Sequence, residues 1–228
     1  MFSAEEWTAI LLSLKVGSIA TIATLPVAVA VAWVLARRDF PGKSIVDGIV
    51  HLPLVLPPVV TGYGLLLLFG RRGVLGAFLA DHLGLVFSFR WTGAALAAGV
   101  MGFPLMVRAI RLSFEAIDTR VEQAAATLGA APLWVFATVT VPLALRGIVA
   151  GAVLAFAKAL GEFGATITFV SNIPGQTQTI PSAIYALTQT PGGEAGALKL
   201  SLVAVAIALA ALVASELSVR RARGGATA

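Results

Sequence analysis

Apolar residues gather along this chain in long runs, and the runs are separated by short polar pieces. A helix needs about 20 mainly apolar residues to cross the hydrocarbon core of a bilayer, and five stretches qualify: 10–35, 51–69, 92–110, 147–170 and 198–217. Pro26, Pro57, Pro58 and Pro104 fall within or at the ends of these runs. Such prolines are tolerated where neighbouring helices satisfy the freed backbone groups. The piece HLPLVLPPVVTGYG is too broken for a straight lipid-facing helix and is expected to face protein or a water-filled path. A sixth run, 74–89, is interrupted by Asp81, His82 and Gly84 and predicts a surface segment with an amphipathic helix. The pattern therefore predicts an all-α polytopic membrane protein with about five transmembrane helices in one domain, 1–228, and a large polar loop at 111–146.

Composition agrees. The 228 residues are 58% hydrophobic and only 12% charged, with mean hydropathy +0.94, whereas a soluble domain carries about a quarter charged residues. The chain has no cysteine, which excludes disulfides, iron–sulfur clusters and thiolate metal sites. Its first residues are acidic and its first apolar run is long, so a retained span is expected rather than a cleaved signal peptide.

The net charge of +5 matters less than where the charges sit. Arg37, Arg38 and Lys43 follow the first run, Arg111 and Arg120 follow the third, and Arg220, Arg221 and Arg223 follow the last. With an odd number of spans these share one side, which the positive-inside rule makes cytoplasmic. The opposite side receives Glu5, Glu6 and the stretch 159–198, which has no Lys or Arg. Arg71, Arg72 and Arg90 are the exception, because the same count puts them outside. The expected topology has the N-terminus outside and the C-terminus cytoplasmic, which makes 111–146 a cytoplasmic loop.

Within that loop lies LSFEAIDTRVEQAAATLGAAPLWVF. Asp118 or Thr119 can cap a helix whose first turn carries Glu122 and Gln123. Ala124, Ala125 and Ala126 continue it with high helix propensity and little bulk. Gly129 supplies the left-handed residue of a C-terminal cap, and Pro132 can open the next helix. Small side chains would let a partner approach the backbone closely; a plain interfacial helix is the other reading.

Lys158 and Glu162 lie four apart in an apolar run and so share a helix face. Charges at such depth face protein or water and mark either a locked pair or a substrate path. Gly161 and Gly164 flank Glu162, and Gly147 and Gly151 form a small-xxx-small spacing suited to close helix crossing. The segment 171–197 carries Thr177, Gln178, Thr179, Ser182, Thr188, Gln189 and Thr190 around a short helix expected at 181–187, either lining a pore mouth or simply solvated. His51 and His82 are the only histidines, and no nucleophile elbow or metal-binding helix motif accompanies them. A membrane-embedded hydrolase is therefore disfavoured. The Gly-Lys-Ser at 42–44 ends like a phosphate-binding loop, but Arg37 stands where its first glycine belongs and no strand precedes it.

The 123–142 spacing resembles the EAA loop of permease subunits of ATP-binding-cassette importers. Gln123, Ala124 and Ala125 take the Glu-Ala-Ala places, Gly129 the glycine, Val139 the aliphatic place, Val141 the leucine and Pro142 the proline. Gln123 replaces the family's glutamate, although Glu122 stands immediately before it. Further stretches, among them HLPLVLPPVVTGYGLLL, LGEFGATITFVSNIPGQTQTIPSAIY and QTPGGEAGA, resemble molybdate-transport permeases of bacteria from about Glu6 to the last run. The resemblance implies the type I importer fold with a cytoplasmic coupling helix and a location in the bacterial inner membrane. It implies a homodimer with one pathway on its two-fold axis, two ATPase subunits that use ATP and Mg, and a periplasmic binding protein delivering molybdate, with tungstate as a second cargo. The chain itself would bind no cofactor, hold no metal and catalyse no reaction. Coupling then falls to Glu122, Gln123, Ala124, Ala125, Gly129 and Pro142, and the pathway or gate to Pro57, Thr61, Lys158, Glu162 and Thr166. The rivals are a permease of the same architecture for sulfate or another anion, and an autonomous channel or secondary carrier.

Overall fold

The computed structural model describes residues 2–224, and every regular element among them is helical. In chain order these are α1 (Ala4–Arg37), α2 (Lys43–Val55), α3 (Pro58–Phe69), α4 (Val74–Leu83), α5 (Trp91–Glu115), α6 (Thr119–Thr127), α7 (Pro132–Val135), a π-turn (Phe136–Thr140), α8 (Val141–Leu160), α9 (Gly164–Val170), α10 (Ile180–Thr188) and α11 (Glu194–Gly224). The side chains of Arg220, Arg221 and Arg223 lie outside the described residues.

The central post is α5, with 67% of its most apolar window buried, against 22% for α1 and 11% for α11. Its buried face is built from Gly93, Ala94, Ala95, Ala97, Ala98, Gly99 and Gly102. Such small residues let neighbouring backbones close in, which is how helices associate where lipid removes the hydrophobic drive. Accordingly α1 and α8 both pack against α5, and they also pack against each other. At the α8 crossing, a Cβ on Gly151 would stand 2.9 Å from the Met106 carbonyl oxygen, and one on Gly147 would strike Ser113. The glycine spacing read from the sequence thus marks a helix crossing inside the chain. Toward one end of the bundle the packing turns bulky, with Leu35, Met106, Ile110 and Phe114 fully buried. The outward faces of α1 and α11 remain apolar and exposed, as lipid contact requires.

Two of the five apolar runs are not single helices. The 51–69 run divides at Leu56 and Pro57 into α2 and α3, which meet at 114°. Pro57 and Pro58 supply no N–H, and each proline drives the residue before it out of the helical region. Leu56 and Pro57 accordingly sit at ψ 143° and 133°. The 147–170 run breaks after Leu160, so α8 starts earlier, at Val141, and α9 is a separate seven-residue helix packed on α3. The segment 74–89 forms the short α4, closed by Gly84, as the interrupted pattern predicts.

Candidate coupling site and pathway

The 111–146 loop folds as its local chemistry dictates. The Asp118 side chain accepts the Arg120 N–H at 2.9 Å and so caps α6. Gly129 takes φ +83°, its N–H donates to the Ala126 carbonyl, and the Ala130 N–H reaches back to Ala125 at 3.4 Å. These two bonds make a Schellman cap, whose left-handed residue is cheapest as glycine. Pro132 opens α7, and the chain then widens into the π-turn before α8.

One carboxylate ties this loop to the bundle. Glu122 Oε1 accepts Arg37 Nη2 at 3.3 Å from the end of α1 and Thr140 Oγ1 at 2.7 Å from the π-turn. Arg37 Nη2 also donates to the Ile117 carbonyl at 3.3 Å. Phe136 packs edge-on against Trp33 at 5.5 Å and beside Phe114 at 6.4 Å, so the π-turn is wedged between α1 and α5. A second tie joins α5 to α2, where Arg111 Nη1 donates to Asp47 at 3.0 Å. The sequence pattern marked neither Arg37 nor Thr140 as a partner of Glu122, because partners 85 and 18 residues away leave no local trace.

The other face of the loop is bare. Gln123 and Ala124 are exposed, and Ala125 is half-buried. Leu128 (88% exposed), Leu133 (79%) and Trp134 (65%) project beside them. Exposed large apolar side chains grouped along a polar loop suit contact with a protein or a membrane surface. Of the two acidic-register residues, Glu122 turns inward and Gln123 faces out. Pro142, at the start of α8, is also exposed.

The residues expected along a pathway divide into two groups. Pro57 makes the α2–α3 bend, and Thr61 one turn later has a buried hydroxyl with no partner. Lys158, Glu162 and Thr166 instead build the α8–α9 break. Glu162 is 2% exposed; its Oε1 accepts the Ala165 N–H at 2.8 Å and its Oε2 accepts Lys158 Nζ at 3.1 Å. Its carboxylate therefore caps the first turn of α9, and Thr166 Oγ1 folds back onto the Phe163 carbonyl at 2.9 Å. In the 171–197 segment, Thr177, Thr179 and Ser182 are buried and bond within the chain, while Thr188, Gln189 and Thr190 are exposed. Gly42 opens α2 at φ +86° and Lys43 pairs with Asp39 at 2.9 Å, so 42–44 is a helix start. Among the described residues no group of three or more His, Asp or Glu side chains gathers.

Comparison with known proteins places this arrangement. The molybdenum transport system permease protein ModB of Escherichia coli K12 is 59% identical over 218 residues, covering 96% of this chain and 95% of its own. Its Haemophilus influenzae counterpart is 56% identical over 211 residues, covering 92% of each. A sulfate transport system permease protein, CysW of Synechococcus elongatus, is 39% identical over 173 residues, covering 76% of this chain and 60% of its own. Among solved structures, a bacterial alginate ABC transporter in complex with its alginate-bound periplasmic protein superposes with TM-score 0.74 at 17% identity, covering 96% of this chain and 80% of that one. The MetNI methionine ABC transporter, in an inward-facing conformation, gives 0.67 at 16%, covering 95% and 93%. The pattern described as "Binding-protein-dependent transport system inner membrane component" matches residues 25–224, and the chain belongs to that family of multi-pass inner membrane proteins.

Proposed function

We propose that this chain is the permease subunit of an ATP-driven importer that carries molybdate, and tungstate by the same route, across the bacterial inner membrane. It works as a homodimer over two ATPase subunits, which use ATP and Mg, and it receives its cargo from a periplasmic binding protein. The chain supplies the pathway and none of the hydrolysis. The observation that carries this reading is the α6–α7 loop: its exposed Gln123, Ala124, Leu128, Leu133 and Trp134 await a protein surface, while Glu122 fastens its other side to α1 and the π-turn. Docking of the ATPase on the open side would move α1 through Arg37 and α8 through Thr140, and the α2–α3 bend at Pro57 offers a joint for alternating access. Thr61 lies one turn from that joint and is assigned to the pathway, whereas Lys158, Glu162 and Thr166 act on it by setting where α9 points.

The cargo rests on the two relatives named for molybdenum transport, which match at 59% and 56% identity, against 39% for the sulfate permease. Uptake of radiolabelled molybdate by the assembled complex tests it. Unlabelled tungstate should compete and excess sulfate should not. Equal competition by sulfate would assign the chain to a sulfate carrier, and flux without the ATPase would make it a channel or secondary carrier.

A further inference from the structure

Arg71, Arg72 and Arg90 break the charge rule that the rest of the chain obeys, and coupling to an ATPase gives them no task. They line one cavity of about 690 Å³ together with Leu66, Leu67, Ser88 and Phe89. No carboxylate pairs with any of the three among the described residues. Ser88 at the cavity is buried, and Phe89 beside it holds φ +58°, a backbone region that non-glycine residues rarely adopt. The cavity lies at the Trp91 end of α5, and the 25 residues of that helix separate it from the coupling loop. At 1.5 Å per residue this is about 36 Å, so the arginines stand at the headgroup level of the opposite leaflet.

We infer that this cavity is a phospholipid site, in which Arg71, Arg72 and Arg90 hold the phosphodiester of an anionic headgroup and the adjoining apolar surface receives an acyl chain. The lining is amphipathic: guanidinium forks match phosphate oxygens, and the Ser88 hydroxyl can donate a further bond. Leu67 and Phe89 are exposed at the cavity, and Val74, Leu75 and Phe78 continue an exposed apolar surface along α4. A small hydrated oxyanion would have no use for those side chains, and an acidic protein surface would leave them wet. A bound lipid satisfies both halves. Arginines outside the membrane then share a lipid's negative charge at the surface where they sit, which offsets part of their cost in topology.

The inference holds whichever anion the complex carries, and its test reads lipid rather than transport. The intact permease–ATPase complex is purified in mild detergent and reconstituted into phosphatidylcholine nanodiscs with and without phosphatidylglycerol; retained phosphatidylglycerol is quantified by mass spectrometry. The parent should retain phosphatidylglycerol selectively. Arg71→Ala, Arg72→Ala and Arg90→Ala together should weaken retention about a hundredfold, the combined loss of three arginine attractions at a charged surface. The corresponding three Lys substitutions should hold within about tenfold of the parent, which separates lost charge from misfolding. Unchanged retention in the Ala variant overturns the inference. So does displacement of the lipid by free molybdate, which would mark an oxyanion site, or lost capture of the binding protein with lipid retained, which would mark a protein contact.

Discussion

Glu122 concentrates two hydrogen bonds on one carboxylate oxygen, and they come from different elements, so this atom decides whether loop and bundle move together. Replacing it with Ala leaves Arg37, 13% exposed at its side chain, without the one acid that pairs with it among the described residues and strands the Thr140 hydroxyl. Leaving such groups unpaired costs about 1–3 kcal/mol. Glu122→Ala should therefore lower the thermal midpoint of the complex and, more tellingly, reduce transport per ATP hydrolysed. Glu122→Gln keeps an acceptor and should sit between. If the Ala variant transports with undiminished stoichiometry, the tie is ornamental. Lys158 and Glu162 carry the opposite asymmetry. Glu162 is almost fully enclosed while Lys158 is 32% exposed. Lys158→Met leaves a buried carboxylate unpaired and should cost about 3 kcal/mol, whereas Glu162→Gln retains the bond from Ala165 N–H and frees a lysine that can reach solvent. Thermal unfolding of the two single variants checks the order, and a larger loss for Glu162→Gln would reverse the assignment.

At the scale of elements, the α6–α7 turn depends on the left-handed Gly129. Nothing lies within 4 Å of where its Cβ would stand, so a side chain has room and only the backbone resists. Gly129→Ala should cost about 1–2 kcal/mol through that conformation and leave ATPase binding intact. Gly129→Arg adds a long charged chain beside Leu128, on the surface assigned to the ATPase, and should abolish co-purification and transport while the permease still folds. Recovery of a complete, active complex from the Arg variant would remove the loop from its docking role. This element was legible in the sequence because capping chemistry is local: Asp118, Gly129 and Pro132 announce their roles by residue type and spacing. The break after Leu160 was not. Lys158 and Glu162 are the only charged residues in 147–170, and hydropathy cannot tell a capping carboxylate from a pathway charge. The Pro57 bend lay between these cases, visible as disruption but silent on its 114° angle, which packing on α9 and α5 must set.

The whole molecule has two dissimilar ends, and α5 holds them apart. One end carries the α6–α7 loop, rich in internal ties; the other carries the arginine-lined cavity and Gln176 of the 171–179 segment. Charge placement assigns the first end to the cytoplasm, except that the three arginines vote against it. The chain offers a clean way to decide, because it contains no cysteine and any thiol introduced is the only one. Ala124 and Gln189 are both exposed, one in the coupling loop and the other at the end of α10. With the N-terminus outside, Gln189→Cys should react with a membrane-impermeant maleimide on intact spheroplasts, and Ala124→Cys only after the membrane is opened. In the assembled complex the Ala124→Cys thiol should also be shielded by the ATPase and become reactive when that subunit is stripped away. Labelling of Ala124→Cys from outside would invert the topology and, with it, the docking site; labelling of both thiols only after permeabilisation would require a different number of spans between them.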